Sequence, residues 1–210
     1  MKVAELWRYP VKGLRGERLD QVEVAEGGIP GDRGLAVVDE RGIVTGRRKQ
    51  RMIGVPGTLG GNGEALIDGH PWNSAEAESL IRDVSGTDAR LTKPTSGHEH
   101  DEAPILLLSD GSINQLGYDH RRFRPNIYFE GADGPIEQEW IGRHVRVGDL
   151  ILSVDKPDVR CVITTIDPDT IAVDLDVLKR VNDELDGVMG VYCSVIEPAS
   201  VNLGDPVALV

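Results

Sequence analysis

Short segments that alternate apolar and polar residues recur along this chain, and glycine-bearing turns separate them. The first three such segments lie at residues 3–8, 19–25 and 35–39, and the turns around them read KGLRGE, EGGIPGDRG and DERGI. A period of two residues places successive side chains on opposite faces, which is typical of strands with one buried face. The pattern therefore predicts the beginning of a β meander or barrel.

Glycine and proline are spread along the whole chain, with 25 and 12 residues respectively among 210. This distribution favours many short elements joined by tight turns, as in all-β or α+β folds. With 40% hydrophobic residues, the chain can bury the core of one large domain, or of one domain with a smaller insertion. We therefore expect a mainly β protein with some helix.

Three segments predict helices: residues 73–85, the stretch after Ser109, and residues 174–185. In each of them, apolar residues three and four positions apart fall on one face. Asn73 is the expected N-cap of the first helix. The other apolar segments predict strands, and they include CVITTI at residues 161–166.

The glycine-rich segment at residues 51–68 resembles a phosphate-binding loop only in composition. Such a loop needs a strand before it and a helix N-terminus after it, whereas EALIDGHPW reads as a short strand and a turn. Because GNG is also typical of hairpins, we predict a hairpin here rather than a nucleotide site.

The formal charge of −12 disfavours general binding to nucleic acid, because phosphates repel an acidic surface. The basic residues are nevertheless clustered, in GRRKQR at residues 46–51 and in RRFRPN at residues 121–126. Each cluster can be a solvated face or part of a site for a small anion. We expect a small-molecule partner and no nucleic acid partner.

The longest purely aliphatic run, ILLL at residues 105–108, is far shorter than the roughly 20 apolar residues that span a bilayer. The opening sequence MKVAELWRYPVKG also lacks the continuous apolar stretch of a secretion signal. We therefore expect a cytoplasmic protein with no membrane partner. Two cysteines are too few for a disulfide framework, or for an iron–sulfur cluster with about four protein ligands. Any electrons must therefore come from another protein or domain.

Cationic residues follow strands or tight turns at three places. Lys12 lies in RYPVKG, Arg33 lies in GIPGDRG, and Arg124 precedes a strand in RRFRPN, together with Asn126. Loops at such positions lift side chains into a site, and converging arginine and lysine suit a phosphate. Each residue could equally form a surface ion pair, so convergence is one of two interpretations.

The two cysteines have different neighbours. Cys161 follows Arg160 in RCVITTIDPDT, whereas Cys193 in VYCSV has no adjacent basic residue. A free cysteine in a strand is most often inert packing. A neighbouring cation stabilises the thiolate, which is the form that attacks or ligates a metal. Cys161 is therefore open to interpretation as a core residue, a nucleophile or a metal ligand, while Cys193 reads as a core residue.

The segment GHEHDE at residues 97–102 combines histidines and carboxylates. His98 and His100 would point to opposite sides of an extended loop, and no third histidine lies nearby. An exposed acidic loop is therefore favoured over a histidine-based metal site.

Taken in order, the phrases RYPVKG, GIPGDRG, HDEAPILLLSDGSINQL, RRFRPNI, RCVITTIDPDT, GVYCSV and LGDPVAL resemble the MOSC family, named for the C-terminal domain of molybdenum cofactor sulfurase. The resemblance spans almost the whole chain and is closest in style to the amidoxime-reducing components and their bacterial relatives. It implies an α+β, mainly β fold, in which a β-barrel-like MOSC domain (residues 1–33 and 98–210) carries a smaller inserted N-terminal module (residues 34–97).

The resemblance also implies a site. The reductases of this family bind a molybdenum cofactor, in which a molybdopterin carries the metal and one cysteine thiolate ligates it. That cysteine corresponds to Cys161, as both metal ligand and catalytic residue. The residues that correspond to contacts with the phosphate and the pterin are Lys12, Arg33, Asp101, Arg124, Asn126, Arg160 and Tyr192.

The implied activity is the reduction of N-hydroxylated compounds, with electrons from a separate reductase or from an iron–sulfur or flavin protein. Two alternatives stay open, a sulfur carrier with a persulfide on Cys161 and a module that binds the cofactor without turnover. Pyridoxal phosphate binding is a further alternative at the level of the family. Gly13, Glu102 and Ala103 replace small hydroxyl residues of the family pattern, which bears on how a cofactor would be held.

Overall fold

The computed structural model describes residues 1–94 and 102–210, and strand predominates over helix in this part of the chain. The strands are β1 (Lys2–Arg8), β2 (Val11–Lys12), β3 (Glu17–Leu19), β4 (Gln21–Val24), β5 (Leu35–Asp39), β6 (Gly42–Val44), β7 (Gly57–Leu59), β8 (Ala65–Ile67), β9 (His70–Pro71), β10 (Arg90–Thr92), β11 (Ile105–Ser109), β12 (Ile127–Glu130), β13 (His144–Val147), β14 (Leu150–Val159), β15 (Val188–Glu197), β16 (Ala199–Asn202) and β17 (Val207–Leu209). The helices are α1 (Ala75–Ser85), α2 (Asp110–Leu116) and α3 (Leu175–Leu185). The expected α+β class with a majority of strand is confirmed.

Eight strands form the larger sheet, in the order β17, β13, β14, β15, β11, β12, β1 and β3. Neighbours are antiparallel except β11 and β12, which are parallel and are connected through α2. The sheet curls so that β1 approaches the segment before β17. The backbone N–H of Val3 donates to the carbonyl of Asp205 (2.9 Å), and the carbonyl of Val3 accepts from the N–H of Gly204 (2.8 Å). The described strands still follow an open path from β17 to β3, so the barrel-like sheet is not a closed barrel.

The alternation of apolar and polar residues explains why these segments pair as strands. In β13, Val145 and Val147 are buried while His144 and Arg146 are exposed. Such inward-facing residues from both edges of the sheet join one hydrophobic core, which also contains Cys193. Burial of one face fixes the register, because a slip of one residue would expose the whole apolar set.

A smaller sheet forms around β5, which pairs with β2, β6 and β10. Helix α1 packs on it, and Val11, Leu35, Val37 and Ile81 belong to a second core. The hairpin predicted within residues 51–68 is confirmed, because β7 and β8 pair in antiparallel fashion. Strand β1 instead pairs with β12 and β3, β4 pairs with β16, and β2 pairs with β5. The exact division into residues 1–33, 34–97 and 98–210 stays a prediction.

All three predicted helices are present, with one shift at an end. The N-cap of α1 is Ser74 rather than Asn73, because the Ser74 hydroxyl accepts from the backbone N–H of Ala77 (3.2 Å). Helix α2 is capped by Ser109 and α3 by Asp174. None of the described helices combines the length and the apolar character that crossing a membrane requires.

The strand predicted for CVITTI is wrong. Residues Val162–Thr165 form a short 3-10 helix, and Cys161 precedes it in an extended conformation. The hydroxyls of Thr164 and Thr165 donate to the carbonyls of Cys161 (3.0 Å) and Val162 (2.7 Å). These local hydrogen bonds compete with strand pairing, so a β-branched sequence folds into a turn here.

Candidate functional site

A cleft of about 510 Å³ opens between the two sheets. The smaller sheet contributes Lys12 from β2 and the residues that follow β6, including Thr45 and Arg47. The larger sheet contributes the end of β14 with the turn after it, and Tyr192 from β15. A third wall is the 3-10 helix His120–Phe123, which ends just before β12. Residues far apart in sequence therefore share one concave surface.

Six of the eight predicted site residues line this cleft, namely Lys12, Arg33, Arg124, Arg160, Cys161 and Tyr192. Asp101 lies outside the described residues, as do His98 and His100 of the GHEHDE segment. Of the two interpretations of these cations, a surface ion pair for each or convergence on one place, the described part of the chain supports convergence.

The cleft is strongly cationic. Within the described ranges its lining contains seven lysine and arginine side chains against two carboxylates: Lys12, Arg33, Arg47, Arg122, Arg124, Lys156 and Arg160 against Glu102 and Asp158. The whole chain has a formal charge of −12, so this concentration of positive charge is local. A positively charged cleft in an acidic protein attracts small anions.

Two of these arginines pack on one buried aromatic ring. The guanidinium carbons of Arg33 and Arg124 lie 5.1 and 4.2 Å from the centre of the Tyr9 ring. Burial raises the pKa of Tyr9 far above its ordinary value, so the ring stays neutral, and its hydroxyl donates to the carbonyl of Pro125 (3.2 Å). Arg33 also forms an ion pair with Asp32. Tyr9 thus orients both guanidinium groups.

Arg33 and Arg124 also share an uncommon backbone conformation. Their φ angles are 52° and 57°, in the left-handed region that residues other than glycine rarely adopt. Such residues cost roughly 1–3 kcal/mol each and cluster at binding and catalytic sites. The fold therefore tolerates strain at the two arginines that contact Tyr9.

Cys161 lies where β14 ends and the 3-10 helix begins. Its carbonyl accepts hydrogen bonds from the backbone N–H and the hydroxyl of Thr164 (3.1 and 3.0 Å), which fixes the turn. Its side chain lines the cleft, and the Nη2 atom of Arg47 lies 3.4 Å from Sγ. The thiol is half-buried rather than packed in the core.

Arg160 lines the cleft and is also held in place by hydrogen bonds and an ion pair. Its guanidinium donates to the carbonyls of Met189 (2.8 Å) and Phe123 (2.9 Å) and forms an ion pair with Asp158 (2.7 Å). Its side chain is only 7% exposed. These bonds tie the segment of Cys161 to β15 and to the 3-10 helix before Arg124, which indicates a positioning role, and the predicted contact with a phosphate or pterin stays a prediction.

Asn126 lies outside the cleft lining. It is 1% exposed, its Oδ1 accepts from the backbone of Leu106 (3.1 Å), and its Nδ2 donates to the carbonyl of Trp7 (3.3 Å). The amide therefore connects β11 and β1 to the start of β12. The predicted contact of Asn126 with a ligand stays a prediction.

Two departures from the family pattern have structural explanations. Gly13 has φ of 85°, and a Cβ there would lie 3.1 Å from the Cα of Thr45, so a side chain would be strained and crowded. Glu102 forms an ion pair with Lys156 across the cleft, which offsets its negative charge. Both departures are therefore accommodated by their surroundings.

Arg47 was not among the predicted site residues, although the cluster GRRKQR that contains it was one candidate for part of an anion site. Within that cluster Arg48 pairs with Asp39 and Arg51 pairs with Asp83, as expected for a solvated face. Arg47 alone of these three arginines lines the cleft. The cluster indicated an anion site, but it did not indicate which of its residues would line that site.

Comparisons with known proteins agree with this architecture. Residues 94–208 match the sequence model of the MOSC domain, and residues 1–95 match that of the MOSC N-terminal beta barrel domain. Mitochondrial amidoxime reducing component 2 of Macaca fascicularis is 27% identical, over 98% of this chain and 82% of its own length. Mitochondrial amidoxime-reducing component 1 of Homo sapiens is 25% identical, over 99% and 82%.

Among solved structures, the YUAD protein of Bacillus subtilis shares the fold. Its TM-score is 0.53 at 13% sequence identity, and the match covers 98% of this chain and 93% of that one. The MOSC domain match alone covers more than half of the 210 residues, and the N-terminal match covers most of the remainder. The resemblance found in the sequence is thereby confirmed, and this chain belongs to the MOSC domain family.

Proposed function

We propose that this chain is a molybdenum-cofactor oxidoreductase that reduces N-hydroxylated compounds with electrons from a separate donor protein. The observation that carries the proposal is the half-buried thiol of Cys161, which opens into a cleft lined by seven cations on a chain of charge −12. A thiol in a merely structural position would not need such a setting, because buried free cysteines pack like small apolar residues.

The residues of the cleft fit a molybdenum cofactor. Arg33 and Arg124, oriented by Tyr9, offer paired donors for its phosphate, and Lys12 adds a mobile charge. The thiolate of Cys161 is a soft ligand suited to molybdenum. Among residues 1–94 and 102–210, no cluster of three or more His, Cys, Asp or Glu could hold a bare metal ion. A metal that brings its own dithiolene sulfurs needs only one such protein ligand.

When bound, the cofactor supplies the two-electron chemistry that converts N–OH to N–H, with uptake of two protons and release of water. The chain itself binds and orients. Arg33 and Arg124 hold the anionic end of the ligand, while the turn closed by Thr164 holds the Cys161 thiol in the cleft. Arg160 fixes that turn against β15. These are positioning and electrostatic contributions.

The names of the relatives support the substrate class. Two proteins that match nearly the whole chain are named amidoxime-reducing components, and an amidoxime carries an N–OH group. The chain has two cysteines, so an iron–sulfur cluster with about four protein ligands must belong to a partner. The electron donor in this proposal is therefore a separate flavin or iron–sulfur protein.

The experiment is to purify the chain from a host that makes the molybdenum cofactor, and to measure molybdenum by mass spectrometry. The same protein is then tested for conversion of benzamidoxime to benzamidine with a chemical electron donor. We expect roughly one molybdenum per chain and amidine formation, both diminished in Cys161→Ala. Cys193→Ala is the matched control, because that thiol lies outside the cleft lining.

Two outcomes would replace the proposal by a different function. A metal-free protein with a cyanide-labile sulfur on Cys161 would indicate a sulfur carrier, because a sulfur atom that ligates a metal cannot also carry a free persulfide. Bound molybdenum without reduction of any N-hydroxylated compound would indicate a module that holds the cofactor without turnover.

A further inference from the structure

Arg47 reaches the thiol end of the cleft from the smaller sheet. It follows β6, its side chain is exposed to solvent, and its Nη2 lies 3.4 Å from the Sγ of Cys161. Cys161 itself follows β14 of the larger sheet. The contact between these two side chains therefore spans the mouth of the cleft.

Two other cations of the cleft lining form ion pairs with carboxylates of the same lining. Arg160 pairs with Asp158 (2.7 Å), and Lys156 pairs with Glu102. These two pairs also account for both carboxylates in the described lining.

Arg122 likewise pairs with Asp167 (2.9 Å). Arg47, by contrast, has no carboxylate within ion-pair distance among the described residues. Its only described hydrogen bond uses one of its five N–H donors, on the sulfur. The remaining donors can bind an acceptor that enters the cleft.

We propose that Arg47 is a specificity-determining residue, which favours substrates that carry a carboxylate or a similar anionic group close to the reacting N–OH. The N–OH part of this statement rests on the proposed function. The preference for an anion beside Cys161 rests on the geometry of Arg47 alone. A guanidinium binds a carboxylate through two parallel N–H donors, and a neutral analogue makes no such contact.

The preference can be measured without cofactor, on the full chain produced in a host that does not make molybdopterin. Iodoacetate and iodoacetamide alkylate the same thiolate by the same displacement, in which an S–C bond forms and iodide leaves. Iodoacetate carries a negative carboxylate where iodoacetamide carries a neutral amide, and their intrinsic difference in reactivity is the same for every variant. The ratio of their rate constants at Cys161, followed by peptide mass spectrometry at one pH and low salt, therefore reports the local charge and cancels the amount of thiolate.

We expect Arg47→Ala to lower the iodoacetate to iodoacetamide ratio about fivefold, as for loss of one unit charge about 4 Å away in water. Arg47→Lys keeps the charge and should retain most of the ratio. Arg48→Ala is the matched control, because Arg48 is the adjacent residue, is paired with Asp39 and does not line the cleft. Added salt should lower the ratio in the wild type and have less effect in Arg47→Ala.

An unchanged ratio in Arg47→Ala, or an equal fall in Arg48→Ala, would overturn the proposal. In the molybdenum-loaded enzyme, Arg47→Ala should raise KM for 2-amino-2-(hydroxyimino)acetate, whose carboxylate adjoins the amidoxime carbon, about fivefold more than KM for the corresponding neutral amide. An equal change for both substrates would contradict the assignment. Absence of molybdenum from the wild type would instead contradict the proposed function, while the alkylation ratio would still decide the role of Arg47.

Discussion

The two cysteines of this chain lie in opposite surroundings. Cys193 is fully buried in the core of the larger sheet, opposite Ile105 on one neighbouring strand and Val154 on the other. Cys161 lies at the end of a strand, half-buried, with Arg47 at its sulfur. Burial raises the pKa of the Cys193 thiol far above its ordinary value, with a smaller contribution from the charge of Asp155. Cys193 therefore stays a neutral thiol.

The comparison shows that the same side chain becomes a core residue or a candidate ligand according to what surrounds it. Apolar neighbours on a paired strand make Cys193 inert packing. The end of strand pairing, a turn closed by Thr164, and a cationic cleft present the sulfur of Cys161 to a ligand. These two surroundings should make the cysteines differ in their reactivity and in the effect of their removal on stability.

The largest expected difference concerns reactivity in the native state. Cys161 should react with iodoacetamide in the folded, cofactor-free protein, whereas Cys193 should react only through global unfolding. With an ordinary free energy of unfolding, we expect Cys193 to be slower by at least about a thousandfold. Peptide mass spectrometry over time measures both rates in one sample. Similar rates would contradict the burial difference.

Arg160 and Arg47 both lie next to Cys161, but only Arg160 is buried and bonded. Arg160→Ala removes the ion pair with Asp158 and the donors to two backbone carbonyls, so we expect a loss of about 3 kcal/mol in the free energy of unfolding. Arg47→Ala should cost less than about 0.5 kcal/mol, because Arg47 is exposed. Urea unfolding measures both values. Equal losses would show that the two arginines do not differ as described.

Removal of each sulfur atom should also have unequal effects on stability. Cys193→Ala leaves a small cavity in the packed core, so we expect a loss of about 1 kcal/mol. Cys161→Ala should change stability by less than about 0.5 kcal/mol, because its side chain faces the cleft. Thermal or urea unfolding of the cofactor-free variants tests this order. A larger loss in Cys161→Ala would assign that residue a structural role.

Glu137 is a second buried ionisable group under the larger sheet. Among these predicted effects, we expect the effect of its ionisation on stability to be the smallest. Burial raises the pKa of the Glu137 carboxyl, while hydrogen bonds from Ser109 and Ser112 partly offset that shift. A raised pKa means that the folded state binds the proton more tightly, so the stabilisation is present below about pH 4 and is lost as pH rises through the folded-state pKa.

Glu137→Gln mimics the protonated carboxyl at every pH. The stability of the wild type relative to this variant should therefore fall as pH rises above about 4 and level off above the folded-state pKa. Urea unfolding at several pH values measures that difference. A constant difference over this range would contradict the predicted shift.

The fold could be predicted where its signals are local. Alternation predicted strands such as β13, and periodicity predicted α1 to α3, because side chains at these spacings share a face whatever the tertiary context. The strand predicted for CVITTI failed because Thr164 and Thr165 use their hydroxyls on nearby carbonyls. The amino-acid sequence of the segment does not decide between strand pairing and these local hydrogen bonds.

The site could be predicted in part, because loops after strands carry its cations. Lys12, Arg33 and Arg124 were found in this way, and all three line the cleft. Arg47 could not be told from Arg48, since their different partners depend on the pairing of β5 with β6 and on where β14 ends.

In the proposed function Cys161 ligates molybdenum in this cleft, and X-ray absorption at the molybdenum edge detects such a bond. The wild type, Cys161→Ala and Cys193→Ala would be prepared from the same cofactor-producing host. We predict that Cys161→Ala has one sulfur neighbour fewer around molybdenum than the wild type, and that Cys193→Ala has the same number as the wild type. An identical sulfur shell in Cys161→Ala and the wild type would contradict the account.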